Sequence, residues 1–168
     1  LRGSPAAAES VVVERDLQLA ELTSGRLHVA RVSTAASVEA IRRAKARGVR
    51  VTAEATPHHL LLTDQLVKDR EYDTAAKVRP PLRGEEDRRA LVEGLRDGTI
   101  DCIASDHSPR TVDEKKVEFD QASFGVSSLE TTVTGVPPNS FTIWIAIEPR
   151  PPEPPQTRTT SSFSTGGG

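Results

Sequence analysis

Three short stretches of this sequence place chemically capable side chains directly after apolar runs. They are Ala104-Ser105-Asp106-His107-Ser108-Pro109-Arg110, Glu54-Ala55-Thr56-Pro57-His58-His59 and Val29-Ala30-Arg31-Val32-Ser33-Thr34. In the first, Asp106 stands just beyond an apolar strand, where a carboxylate serves as a metal ligand or a general base. The bland reading competes with it: Asp106 opens a turn before Pro109 and caps the next element. His58 and His59 carry less weight as a pair. Neighbouring strand residues point to opposite faces, so one ring is expected to bond internally while the other lines the strand end. His28 reads as structural, and Cys102, inside an apolar strand, reads as a buried small hydrophobe. With no Gly-x-Ser-x-Gly elbow and no Gly-rich phosphate loop, neither a hydrolase nucleophile of that kind nor a nucleotide cradle is indicated.

The surrounding text supplies elements to hold these residues. Val11 to Ser24 spaces Val13, Leu17 and Ala20 as one helical face, with Gly25 as a stop. Leu27–Val32 follows as a strand. From Ser37 to Gly48 a helix is predicted, capped by Ser37, with Val38, Ile41 and Ala44 inward and basic residues in its last turns. Val49–Thr56 is the next strand. Glu85–Asp97 is a helix with three acids in its first turn, and Thr99–Ser105 is the strand after it. Such alternation predicts a parallel sheet with helical crossovers, in which functional side chains collect at the C-terminal strand ends. Three strands and three helices make half of a barrel or a small open sheet, since a complete eight-unit barrel takes roughly 250 residues.

Composition divides the chain. Seven of the 12 prolines and only four of the 46 charged residues fall in 132–168, which places a boundary near Thr131. Residues 1–131 read as globular. Residues 132–168 read as a low-complexity Pro/Ser/Thr-rich tail, either flexible or not native to the fold, with one strand-like run at Phe141–Ile147. The formal net charge of −2 gives no electrostatic case for nucleic acid. No apolar run is long enough for a membrane helix and no signal peptide opens the chain. The single Cys fits a reducing, cytoplasmic setting.

Taken together, five segments resemble dihydroorotase, of the bacterial type I and multifunctional animal branch of the amidohydrolase superfamily. They are Leu27-His-Val-Ala-Arg-Val-Ser-Thr34, Val51-Thr-Ala-Glu-Ala-Thr-Pro-His-His-Leu-Leu-Leu62, Lys77-Val-Arg-Pro-Pro-Leu-Arg83, Asp97-Gly-Thr-Ile-Asp-Cys-Ile-Ala-Ser-Asp-His-Ser-Pro-Arg110, and Phe119–Gly125 with Leu129-Glu-Thr131. The resemblance implies the second half of a TIM barrel, a metallo-dependent hydrolase fold. It implies zinc-dependent interconversion of dihydroorotate and carbamoyl aspartate in pyrimidine biosynthesis. Asp106 takes the place of a metal-binding aspartate that handles the proton of the attacking hydroxide. Arg110 stands where the family has a His that helps hold the substrate carboxylate, and Arg79 where many bacterial members have Asn. Arg31 stands where the family has a zinc-ligand His, and a guanidinium offers a metal no lone pair. Ser128 replaces a Gly near the substrate pocket.

The family's other metal ligands, a His-x-His pair among them, precede the matching part. The expectation is therefore an incomplete and inactive copy. The alternative is a non-catalytic partner of aspartate transcarbamoylase, and a more distant one a hydantoinase- or allantoinase-like hydrolase. The resemblance also implies a small-molecule substrate and a homo-oligomer. A half barrel further predicts unpaired strand edges, exposed apolar surface and poor solubility.

Overall fold

A computed structural model describes residues 3–129 and 132. The predicted strand at Phe141–Ile147 and nearly all of the Pro-rich tail lie outside them. Within them the chain is an α/β structure with a parallel sheet, as the alternation predicts. Helix α1 (Ala6–Thr23) leads into strand β1 (Leu27–Val29), helix α2 (Ala35–Ala46) and strand β2 (Val51–Ala55). Two short helices, α3 (Pro57–Leu61) and α4 (Gln65–Asp69), and a 3-10 turn at Thr74–Ala76 come next. Helix α5 (Glu85–Arg96), strand β3 (Cys102–Ile103) and helix α6 (Val112–Lys115) complete the order. The strands lie β1-β2-β3, all parallel, with Leu27 opposite Val51 and Glu54 opposite Cys102. Among the described residues, β1 and β3 each pair with β2 alone.

The predicted helical faces are the buried ones. Val13, Leu17 and Ala20 of α1 pack with Val38, Ile41 and Ala44 of α2, Leu91 of α5 and the inward side of β2. Ile41 is wholly buried, which is worth about 1.5–3 kcal/mol for such a side chain. Gly94 allows α5 to press against α2: a Cβ there would stand 3.0 Å from Val38 Cγ1.

Boundaries differ from expectation for local reasons. Helix α1 starts at Ala6 because Pro5 is its N-cap and three alanines, strong helix formers, follow. It ends at Ser24, which adopts a left-handed φ of 52° in place of Gly25. Thr34, not Ser37, caps α2; its side chain accepts from Ser37 N–H, and Ser37 is buried one turn in. Strand β1 stops at Val29, as Arg31 turns the backbone to a φ of 54°. Strand β3 is brief, although Asp101 and Ala104 donate to Ala53 and Ala55 carbonyls at 2.9 Å on either side of it. Cys102 is only half-buried, on the sheet face it shares with its partner Glu54 and with His28. On that face His28 bonds Thr52 at 2.8 Å and Glu54 at 3.1 Å.

Candidate functional site

The residues that follow the three strands converge on one carboxylate. Arg31, after β1, brings Nη1 within 3.6 Å of Asp106 Oδ1. His58, after β2, brings Nε2 within 3.7 Å of Asp106 Oδ2. Asp106, after β3, has a left-handed φ of 47°, as Arg31 has one of 54°. Positive φ is uncommon outside glycine and marks a backbone bent to aim a side chain. The loop ends are firmly held. Glu9 of α1 accepts from the N–H of Ser33 at 3.0 Å and of Thr34 at 3.1 Å, as well as from both hydroxyls.

The two adjacent histidines divide as their positions require. Thr56 and Pro57 start helix α3, with the Thr56 side chain as cap and proline in the first turn. His59 Nε2 donates to the Pro80 carbonyl at 3.0 Å. Its Nδ1 then accepts from the Thr56 hydroxyl at 2.7 Å. Burial holds its pKa below the ordinary value against the opposing pull of the Pro80 bond. His58 is buried and neither ring nitrogen has a hydrogen-bond partner among the described residues. Burial first, then the nearby His59 and the Arg31 charge, push its pKa down to about 4. His58 is therefore neutral at ordinary pH. It also borders an apolar cavity of about 100 Å³ lined by Leu62, Leu66, Val78, Leu82 and Val126.

Arg79 and Arg110 meet at Phe124. The Arg79 guanidinium lies 5.4 Å from the ring centroid, and Lys77 Nζ lies 4.7 Å from it. Arg110 Nε donates to the Phe124 carbonyl at 2.8 Å, and its Nη1 is 3.7 Å from Glu114. The Arg79 carbonyl in turn accepts from Arg31 Nη1 at 3.0 Å. Next to Asp106, His107 Nδ1 accepts from the N–H groups of Ser128 and Leu129, each at 3.2 Å. Ser128 is buried and donates its hydroxyl to the Ser105 carbonyl, so it braces the strand end.

Sequence reasoning singled out Asp106, Arg31, Arg79 and Arg110 but missed the bracing roles of Glu9, His107 and Phe124. Only the Thr-Pro pair before His58 carried a local signal, that of a helix start. A zinc ion, which the resemblance implies, does not fit the donors described. Among the described residues no three His, Cys, Asp or Glu side chains come together to hold an ion. His58 and Asp106 offer lone pairs, and the third side is a guanidinium.

No family model matches the chain. It is 60% identical over 133 residues to a dihydroorotase of Pelotomaculum thermopropionicum, covering 79% of this chain and 31% of the relative. It is 56% identical over 133 residues to one of Desulforapulum autotrophicum, again covering 79% and 31%. This chain is a dihydroorotase homologue. It spans about a third of the length of the curated relatives it matches. Among solved structures the homologue resembles an L-hydantoinase (dihydropyrimidinase) from Arthrobacter aurescens, with a TM-score of 0.70 and 32% identity over 76% of this chain and 29% of that one. A D-hydantoinase from Thermus sp. gives a TM-score of 0.70 and 28% identity, covering 77% and 29%. The three β/α units of this homologue are thus part of an amidohydrolase TIM barrel.

Proposed function

We propose that this chain derives from a cyclic-amide hydrolase that interconverts dihydroorotate and carbamoyl aspartate in pyrimidine biosynthesis, and that the chain itself is an inactive copy. The observation that carries this reading is the convergence of three strand ends on Asp106, with Arg31 on one side of the carboxylate and His58 on the other. Opening a cyclic amide requires that water lose a proton as it adds to the carbonyl carbon and that the leaving nitrogen gain one. Asp106 is the group assigned to take and return that proton. His58, neutral with its pKa pushed down to about 4, stands beside it without a hydrogen bond among the described residues. Arg79 and Arg110, gathered at Phe124, are assigned to the substrate carboxylate, which a planar guanidinium holds bidentately.

Inactivity follows from Arg31, which pairs with the carboxylate that has to move the proton and replaces a donor on the reactive face. Two measurements test the reading. Dihydroorotate is expected to bind the chain, and about tenfold less tightly after Arg110→Gln; absence of binding overturns the substrate assignment. Ring opening and ring closure are expected not to exceed those of Asp106→Asn; turnover lost in that variant overturns inactivity.

A non-catalytic partner role is a second reading, favoured by the outer face of α1. There Val11, Leu19 and Leu22 are exposed at 65%, 51% and 81%, and Leu19 and Leu22, three residues apart, share one side of the helix. Co-sedimentation with aspartate transcarbamoylase, lost in Leu19→Glu with Leu22→Glu, is the expected result; no co-sedimentation removes this reading.

A further inference from the structure

The strand-end cluster sets two lone-pair donors side by side. His58 is buried with both ring nitrogens without a hydrogen-bond partner among the described residues, and Asp106 faces it at 3.7 Å. Buried polar atoms without partners are rare and costly, and the lone-pair nitrogen of the neutral His58 ring lies beside the Asp106 carboxylate. The place beside it is taken by Arg31, whose Nη1 lies 3.6 Å from Asp106 and is held by the Arg79 carbonyl at 3.0 Å.

We infer that Arg31 is the resident cation of this cluster and that it keeps divalent metal out of a latent site formed by His58, Asp106 and position 31. The inference rests on the reading of these strand ends as the reactive face. A dication approaching Asp106 would meet a fixed positive charge 3.6 Å from that carboxylate. Unlike a lysine, the guanidinium cannot escape by losing its proton in the accessible pH range. It also supplies no lone pair, so the donor set stops at two where a zinc centre open to water takes three protein ligands. Exchange of Arg31 for histidine reverses both effects at once. It removes the charge and adds an imidazole, at a left-handed φ of 54° that His adopts more readily than most residues.

The test uses the full chain and zinc or cobalt(II) alone, with no substrate. Equilibrium dialysis and titration calorimetry are expected to find no saturable site in the wild-type chain that Asp106→Asn removes. Arg31→His is expected to bind one metal per chain, tighter than the wild type by about tenfold or more, and to lose it when combined with Asp106→Asn. Cobalt(II) in that variant is expected to give the visible absorption of a low-coordinate site. Arg31→Gln, which removes the charge and adds no imidazole, is expected to fall between the two. Circular dichroism and urea unfolding identify which variants are folded. A wild-type site lost in Asp106→Asn overturns the inference, and so does any folded position-31 variant with wild-type metal affinity. Because turnover is not read, failure here leaves the hydrolase reading to its own assay.

Discussion

Arg31 and Asp106 leave β1 and β3 with matching left-handed backbones, φ 54° and 47°, and face each other at 3.6 Å across the end of β2. The pair is partly open to water, with side-chain exposures of 43% and 24%. Exposed ion pairs contribute about 0–1 kcal/mol. A bent backbone at an arginine costs about 1–3 kcal/mol, so the pair does not repay its geometry as stabilisation. Arg31→Asn, which suits positive φ, is therefore expected to lose no more than about 1 kcal/mol of unfolding free energy and, where the backbone cost is relieved, to gain up to about 2 kcal/mol. Urea denaturation checks this. A loss several times larger would make the pair a structural bond rather than a feature of the reactive face.

Acid should weaken the fold before any carboxylate is involved. The pKa of His58 is pushed down to about 4 and that of His59 is lowered, both by burial, from an ordinary value of 6.5. The unfolded chain then binds more protons than the native one below pH 6.5. The His58 contribution is complete above 6.5 and is lost as pH falls from there toward 4, and that of His59 falls in the same direction. One such histidine gives a slope of at most about 1.4 kcal/mol per pH unit. Urea unfolding at pH 7.5 and at pH 5 is expected to show a lower stability at pH 5. His58→Gln should flatten the difference, because its ring is the one with no hydrogen bond to lose.

The architecture was readable from the sequence wherever periodicity met a stop signal. Val38, Ile41 and Ala44 were predicted to face inward, and they do. Helix α5 begins at Glu85, as the acids of its first turn suggested. The nearness of Arg31 to Asp106 was open only through the resemblance, which puts both residues at metal-ligand positions. What sequence could not show is bracing across long separations. Glu9 reaches Ser33 and Thr34 from 24 and 25 residues away, and no local pattern announces it. The region 57–76 was equally hidden, because helices of five residues are too short to display a period.

Gly125 is the residue on which the Arg110 arrangement depends. Its φ is 128°, and a Cβ there would lie 2.4 Å from the Ser108 carbonyl oxygen. Its N–H donates to the Lys77 carbonyl at 3.0 Å. Gly125→Ala is therefore expected to cost about 2–4 kcal/mol, from a disfavoured backbone and a clash with main chain that has no rotamer to change. The loop carrying Phe124 should detach from Arg110 as a result. Hydrogen exchange is expected to show lost protection at residues 123–126, with α2 unaffected. An unchanged unfolding midpoint would contradict the packing described for this turn.

Glu9 gives the most demanding test of how the β1 loop is held. Its carboxylate accepts four donors, the N–H and hydroxyl groups of Ser33 and Thr34, and both of those residues are buried. Removing the acceptor leaves buried donors that water does not reach, at about 1–3 kcal/mol for each that stays unpaired. Glu9→Ala is accordingly expected to cost about 3 kcal/mol or more. Arg83 does not replace it, because its Nε already donates to Ser33 Oγ at 3.2 Å and a guanidinium accepts nothing. Glu9→Gln retains one acceptor oxygen and should lose about half as much. Urea unfolding of both variants checks the order. Equal losses would mean that the charge, rather than the number of acceptors, secures the loop that presents Arg31.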